Sequence, residues 1–361
     1  MNMQEAAKEK LAEYKGLIDQ DIAGYSKKLE KDILEKYNQT TQDIAGAYIS
    51  ILARGGKRLR GALTMHAYYM AGGKDEQLAI RAARAIEMIH AYLLIVDDIA
   101  DRSEIRRGGS AAHKLLKEYH LRKKLYGGDE HFGSSQAMHA ALFGSHQAME
   151  EIADLPIADK QKIKALKYLN NTLETTIAGQ ISDIYNEAVR EVGEEDVRQV
   201  LTWKTAYYSF LNPLQFGILL AGKDMKDFSW LKKYALHIGL AFQITDDILG
   251  IFANEAESGK STLDDLREGK VTLLVANTLK KASEEDKQRF LSSFGKNDIT
   301  RKEQQEIKEI MQNSGALQET KETAEDEAAI AIFNLSEAPE KLHEYVRFLD
   351  GVALYITNRN S

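Results

Sequence analysis

The chain has 361 residues, 43% of them hydrophobic, and a formal net charge of −7. That is enough apolar material for a sizeable core in one large or two ordinary domains, and the acidic balance argues against nucleic acid as the main partner. No cysteine is present, which excludes disulfides and thiolate metal sites.

Only three prolines occur, and the many Ala, Leu, Lys and Glu residues favour long uninterrupted helices. Apolar residues recur at helical spacing almost throughout, whereas alternating β-type stretches are missing. The spacing predicts amphipathic helices over about 4–37, 42–53, 58–71 and 75–101. Segment 102–133 is polar and punctuated by glycine, which predicts a short helix within mobile loops. Helices are then expected over about 134–153, 159–189, 195–210, 213–222 and 227–253, followed by a basic loop to about 269. The remainder to about 358 predicts shorter helices with breaks near Gly295, Gly315 and Pro339. No linker or low-complexity tract interrupts the chain, so a single all-α domain over 1–361 is expected. The opening MNMQEAAKEKLAEYKG lacks the apolar core of a signal peptide, and no apolar run approaches the roughly 18 residues of a membrane span. A cytoplasmic protein without a membrane span is expected.

Two acidic clusters carry most of the functional information: DDIAD at Asp97–Asp101 and DDILG at Asp246–Gly250. Each ends a long apolar helical stretch, where adjacent carboxylates repel one another and the negative end of the helix dipole, at about 0.3–1 kcal/mol each when exposed. At 3.6 residues per turn Asp97, Asp98 and Asp101 converge on one side of a helix, and Gln243 lies one turn before Asp246 and Asp247. Hard oxygen donors in this arrangement suit Mg²⁺, which is held by one or two carboxylates together with substrate phosphates. One such pair could be a solvated helix end. Two, each continuing an apolar run, point to a shared task.

The cations supply the complement. Arg102, Arg106, Arg107 and Gly108 follow the first cluster, and Lys260, Arg267 and Lys270 follow the second, with Gly259 and Gly269 among them. Upstream lies RGGKRLR at 54–60, where glycine allows close backbone approach beside several basic residues. Arg offers a bidentate fork to phosphate and Lys a mobile point charge. Carboxylates for Mg²⁺ beside dispersed Arg and Lys describe a site for polyphosphates, with room for two of them.

GGKRLR, HAYLLIVDDIAD with RRGG after it, WKTAYYSFLNPLQFG, and AFQITDDILGIF with GKSTLDDLREGKVTLL resemble the ordered signature of the trans-isoprenyl diphosphate synthases, the polyprenyl synthetase family. The resemblance runs from Gly55 to Leu274. It implies a large all-α bundle of the isoprenoid synthase type around a central cavity, and a homodimer. The implied reaction is a Mg²⁺-dependent condensation of isopentenyl diphosphate with an allylic diphosphate, with two or three ions per site. Asp97, Asp98 and Asp101, with Asp246 and Asp247 opposite, would bind the metal. Arg106, Lys204 and Lys260 would grip the allylic diphosphate, with Lys270 as a further cation of that loop. Lys57, Arg60, His90 and Arg107 match the positions that hold isopentenyl diphosphate. Thr205 and Gln243 would point oxygen dipoles at the allylic cation. Gln180 and Asp183 resemble an element lining the site, although Gln180 and Gln243 could also be hydrogen-bonded core amides.

The chain departs from the family pattern at four places. Gly250 stands where many members have a third aspartate, Gly61 replaces a proline, Ser110-Ala111 replaces Pro-Thr, and Ala141-Leu142 replaces Gly-Asp. Product length is read from Leu93 and Tyr92, four and five residues before Asp97 and so one turn deeper on the same helix. A single aromatic at Tyr92 resembles the geranylgeranyl type, with a farnesyl or longer product as the alternative. A terpene cyclase would not need GGKRLR or the Lys260/Lys270 pair. A non-catalytic accessory subunit would lose the acidic clusters, and a metal-dependent phosphohydrolase would want histidine ligands beside them.

Overall fold

The structure, a computed structural model, describes residues 2–189, 193–253, 264–296 and 298–357. The described chain is almost entirely helical, as the 3.6-residue periodicity requires. α1 (Met3–Lys36), α2 (Gln39–Ala53), α3 (Leu59–Met70) and α4 (Glu76–Ala100) follow the expected spans closely. Their ends have local causes. The Asn38 side chain accepts from the Thr41 amide at 2.9 Å ahead of α2, and Asp75 accepts from Leu78 at 3.1 Å ahead of α4. Between α2 and α3, Gly55 and Gly56 both take positive φ, at 79° and 139°.

Segment 102–133 contains the expected short helix, together with a hairpin and a helix start that the sequence did not suggest. Ile105–Arg106 (β1) and Gly109–Ser110 (β2) form a small antiparallel pair, turned through Arg107 and Gly108 at φ 52° and 72°. α5 (Ala112–Lys123) follows, and α6 (Asp129–Ala153) starts five residues earlier than the pattern predicts. The hairpin is held from a distance: Arg54 Nη1 donates to the carbonyls of Arg106 and Ser110 at 3.2 and 2.8 Å. Gly133, which reads as a breaker, is instead a contact point inside α6. A Cβ there would lie 2.4 Å from the His113 carbonyl of α5.

α7 (Asp159–Val189) runs as expected. The next two predicted helices are one continuous run of α8 (Glu194–Val200), an 11-residue π-helix (Leu201–Leu211) and α9 (Asn212–Leu220). A 3₁₀ turn (Met225–Phe228) leads into α10 (Ser229–Phe252). Contrary to expectation, Met225–Phe252 is long and apolar enough to cross a bilayer, with a mean hydropathy of 1.3. Here Trp230, Leu231, Tyr234 and Ile238 on it are buried, and its C-terminal half carries Asp246 and Asp247. Gly295 and Gly315 mark breaks at φ 77° and 78°, and Pro339 precedes the short turn Glu340–Leu342.

The described chain falls into two compact units. One is formed by Lys10–Tyr168 and Pro213–Lys223. Its core includes Ile18 and Ile22 of α1, Tyr48 and Leu52 of α2 and Leu63 of α3. The Tyr48 ring lies so close to Gly144 of α6 that a Cβ there would be 2.3 Å from it. The other unit is formed by Met1–Glu9, Leu169–Asn212 and Asp224–Ser361. Ile244 and Ile248 of α10 join Leu273, Leu274, Phe290 and Ile307 in its core.

Candidate active site

In the first unit the last turn of α4 presents Asp97, Asp98 and Asp101, with the Asp101 amide closing the helix on the Asp97 carbonyl at 2.8 Å. The Asp98 side chain is fully buried, whereas that of Asp97 is 27% exposed. Arg106, delivered by β1, donates Nε to Asp98 Oδ1 at 2.6 Å and Nη2 to the same oxygen, and its Nη2 lies 3.9 Å from Asp97 Oδ2. A cation thus offsets the repulsion among carboxylates at the negative end of the helix, as the sequence requires.

The loop before α3 is organised by two arginines, both of which donate to backbone carbonyls of α2. Arg107 donates to the Ile51 carbonyl at 2.9 Å, and a Cβ on Gly56 would come within 3.2 Å of its Nε. Arg58, at φ 50°, is turned inward with a fully buried side chain. It donates to Asp19 at 2.8 Å, Glu87 at 3.1 Å and the Leu52 carbonyl at 2.8 Å. The Gly61 amide donates to the other Glu87 oxygen at 3.0 Å. A proline at 61 would lack that donor, and its Cβ would sit 2.9 Å from Ile18 Cδ1. The Gly61 departure therefore has a local cause.

With Arg58 anchored, Lys57 is exposed and Arg60 reaches His90 of α4, Nη1 to Nε2 at 3.2 Å. Arg can only donate, so His90 Nε2 accepts and the ring proton sits on Nδ1. Burial, and then the guanidinium groups of Arg60, Arg107, Arg106 and Arg58, hold this imidazole well below the ordinary histidine range. Below Asp97 on α4, Val96 is exposed and Leu93 and Tyr92 are half-buried, giving an accessible apolar stripe one to two turns long. Burial pushes the Tyr92 phenol up to about 12, so the ring stays neutral.

In the second unit, Gln243 and Asp247 of α10, Lys204 and Thr205 of the π-helix, Asp183 of α7 and Lys270 line one small recess. Thr205 Oγ1 donates to Gln243 Oε1 at 2.8 Å, and Gln243 Nε2 donates to Asp247 Oδ1 at 2.7 Å. Lys204 Nζ donates to Asp183 Oδ2 at 2.7 Å, and Lys270 Nζ stands 4.0 Å from Asp247 Oδ1. Gln180, one turn before Asp183, has a buried Nε2 without a hydrogen-bond partner among the described residues, unlike the satisfied core amide that the sequence leaves open. Asp246 is half-buried beside Asp247. Lys260 lies outside the described residues. Glycines seat the π-helix: a Cβ at Gly179 would be 2.6 Å from the Lys204 amide, and one at Gly239 would be 2.4 Å from Ala206 Cα. π-turns are rare and occur mostly at functional sites.

Several organising residues escaped the sequence reading. Arg54 and Arg58 lie inside RGGKRLR but read there as undifferentiated charge. Glu87 had a signal, being an acid in an otherwise apolar stretch of α4 three residues before His90. Gly179 and Gly239 had none. Of the departures, Ala141 is buried and Leu142 is exposed on α6, so neither brings a polar group to the acidic set.

All the candidate metal donors are carboxylate oxygens, which fits Mg²⁺ rather than a histidine- or thiolate-seeking ion. Among the described residues no three acidic or histidine side chains are gathered tightly enough to hold a metal alone. The donor set therefore fits an ion whose shell is completed by phosphate oxygens and water.

A helical fold with two carboxylate sets, each beside cations, defines a class of phosphate-handling, metal-dependent enzymes. The sequence profile of the polyprenyl synthetase family matches residues 41–313, and the chain belongs to that family. It is a prenyltransferase of the short-chain isoprenyl diphosphate synthase kind. It is 32% identical over 293 residues to the geranylgeranyl diphosphate synthase of Saccharolobus solfataricus, covering 81% of this chain and 83% of that one. It is 32% identical over 313 residues to the short chain isoprenyl diphosphate synthase of Methanothermobacter thermautotrophicus, covering 83% and 90%. Among solved structures, the geranylgeranyl pyrophosphate synthase of Corynebacterium glutamicum, complexed with isoprenyl diphosphate and magnesium, superposes with a TM-score of 0.83 at 27% identity, over 99% of this chain and 98% of that one.

Proposed function

We propose that this prenyltransferase condenses isopentenyl diphosphate head-to-tail with an allylic diphosphate and releases geranylgeranyl diphosphate. The observation that carries the proposal is on α4: an acidic, arginine-buffered turn at Asp97–Asp101 stands directly above the accessible apolar stripe of Val96, Leu93 and Tyr92. A charged head and a prenyl tail need that sequence of surfaces.

Asp97, Asp98, Asp101, Asp246 and Asp247 are the residues that would hold two or three Mg²⁺ ions. When bound, the metal supplies Lewis-acid neutralisation of the departing diphosphate. Arg106, Lys204, Lys260 and Lys270 bind the allylic diphosphate, and Lys57, Arg60, His90 and Arg107 bind isopentenyl diphosphate through charge-assisted and neutral hydrogen bonds. The allylic carbon–oxygen bond breaks, the double bond of isopentenyl diphosphate attacks the resulting cation to form a carbon–carbon bond, and a proton leaves to the released diphosphate. Thr205 and Gln243 hold oxygen dipoles toward the cation, in a setting where carbon side chains exclude water.

The profile match spans residues of both compact units, which supports treating 1–361 as one synthase domain. Exposed Ile177, Ile181, Ile184 and Tyr185 form a stripe on α7, which supports a homodimer. A cytoplasmic location is part of the same proposal and is carried by the family alone. The test is incubation of purified protein with Mg²⁺, labelled isopentenyl diphosphate and each allylic starter, followed by chain-length analysis. A dominant twenty-carbon product is expected. A fifteen-carbon or much longer product would replace the geranylgeranyl assignment, and no elongation would remove the whole proposal.

A further inference from the structure

We infer that the turn between α5 and α6 is a docking surface for an anionic lipid bilayer. Three consecutive cations, Arg122, Lys123 and Lys124, lie there between Leu121 on one side and Leu125 and Tyr126 on the other. All six side chains are exposed; Leu121 and Leu125 are 55% and 40% accessible and Tyr126 is fully so.

The exposure belongs to a built turn. The Leu125 amide donates to the His120 carbonyl at 3.2 Å, the Lys124 amide to the Leu121 carbonyl at 3.1 Å, and the buried His120 ring meets the Tyr126 carbonyl at 3.2 Å. Lys124 takes φ 52° to make the corner. Backbone bonds hold the turn, and Tyr126 contributes no burial to it. Ordered apolar side chains projecting from a corner are what a surface able to enter a lipid interface needs.

Charge singles out the same place. Lys114 pairs with Glu104 at 3.2 Å and Lys117 with Glu130, while Glu118, one turn before Arg122, accepts from Ser110 at 3.5 Å. Arg122, Lys123 and Lys124 have no carboxylate partner among the described residues, and Arg122 and Lys123 only flank the Tyr119 ring, at 5.7 and 5.5 Å. In a chain of net charge −7 such a triplet is locally anomalous. Cations drawn to anionic headgroups, with leucine and tyrosine seated at the acyl boundary, use both features at once. On the function proposed above the product is itself an amphiphile, so docking would put its release beside a lipid phase; the docking does not depend on that function.

The test is flotation of the full chain with phosphatidylcholine vesicles, with and without phosphatidylserine, at low and high sodium chloride. Co-flotation with the anionic vesicles at low salt is expected, with loss at high salt. The variant carrying R122Q, K123Q and K124Q should lose affinity by about fivefold per cation removed. The variant carrying L125S and Y126S should bind more weakly but keep the salt dependence. Thermal midpoints and turnover of soluble substrates should match wild type in both, because none of these residues belongs to the catalytic set; turnover reads the proposed function separately from docking. Absence of flotation by wild type, equal affinity for neutral vesicles, or wild-type binding by both variants would overturn the inference. So would a change in sedimentation mass without a change in flotation, which would assign the turn to contact between copies of the chain.

Discussion

The Gln243 amide donates to Asp247 one helical turn away, at 2.7 Å, while its carbonyl accepts the Thr205 hydroxyl at 2.8 Å. The polarity of this line is fixed at both ends: the hydroxyl can give its proton to the amide oxygen, and the carboxylate can only accept. A π-helix residue and a metal-ligand candidate are thus joined by one side chain.

Gln243→Leu removes a partner from both Thr205 and the buried Asp247, at a cost of about 1–3 kcal/mol for each group left unsatisfied. In single-turnover kinetics the variant should lose about ten- to a hundredfold in rate. Gln243→Glu should be worse, since it sets a second carboxylate against Asp247. Wild-type rates in both would detach this line from the chemistry.

Asp97 and Asp98 should separate by their effect on folding. Asp98→Ala leaves the largely buried Arg106 without its main partner, which predicts about 3–5 kcal/mol of destabilisation in urea titration. Asp97→Ala, at a partly exposed position, should change stability by less than about 1 kcal/mol. Both should lower turnover by about two or three orders of magnitude, and EDTA should abolish it in wild type. If Asp97→Ala turned over normally in EDTA, the metal proposal would be lost.

His90 predicts a signed pH dependence. Its folded value is depressed, so at pH below the ordinary 6.5 the unfolded chain takes up a proton that the folded one resists. Its contribution to stability is complete above 6.5 and is lost as pH falls from there toward the depressed value. His90→Gln carries no such proton, so the wild-type melting midpoint should fall relative to that of the variant as pH drops through that window. The same variant should raise KM for isopentenyl diphosphate well above any change in KM for the allylic substrate. A parallel rise in both would mean that Arg60 and His90 do not serve one substrate.

Gly179→Ala and Gly239→Ala probe the π-helix. Each added methyl would meet main chain, at 2.6 Å from the Lys204 amide and 2.4 Å from Ala206 Cα, and neither neighbour is the movable end of a side chain. Overpacking of this kind costs about 1–3 kcal/mol. Displacing the backbone that carries Lys204 and Thr205 should lower kcat more than stability alone explains. Gly46→Ala on α2, with open space around it, is the control and should match wild type in rate. Equal loss in all three would remove the special role of the π-helix.

The sequence showed the fold class and the two acidic sets because both are written in local periodicity: apolar residues at helical spacing, and carboxylates at one, two and five of the first pentad and at one and two of the second. What it did not show depends on contacts distant along the chain. The hairpin at 105–110 exists through Arg54, about fifty residues upstream, and the early start of α6 depends on a glycine packed against α5. Charge in RGGKRLR was visible, but the inward turn of Arg58 was not, because it needs Asp19 and Glu87 as partners. Asp246 and Asp247 were legible as donors. The Lys204–Asp183 pair was not, since its members lie twenty-one residues apart on two different helices.

On the function proposed, Tyr92 is the residue expected to limit the length of the product. The growing prenyl chain, on the function proposed, runs down α4 from Asp97 past Val96 and Leu93 toward Tyr92, along a helix that rises about 5.4 Å per turn. Tyr92 stands one turn below Asp97 with a neutral phenol, its ionisation pushed up to about 12 by burial, so chain length should not vary across the assay pH range. Tyr92→Phe keeps the ring and should keep the twenty-carbon product. Tyr92→Ala removes it at about 3 kcal/mol of stability while leaving the Asp98–Arg106 and Arg60–His90 pairs in place. The alanine variant should still turn over but release chains longer by one or more units in reversed-phase analysis. Longer chains from the phenylalanine variant too would show that the hydroxyl, not the ring, sets the limit, and an unchanged distribution from both would put the floor of the cavity elsewhere.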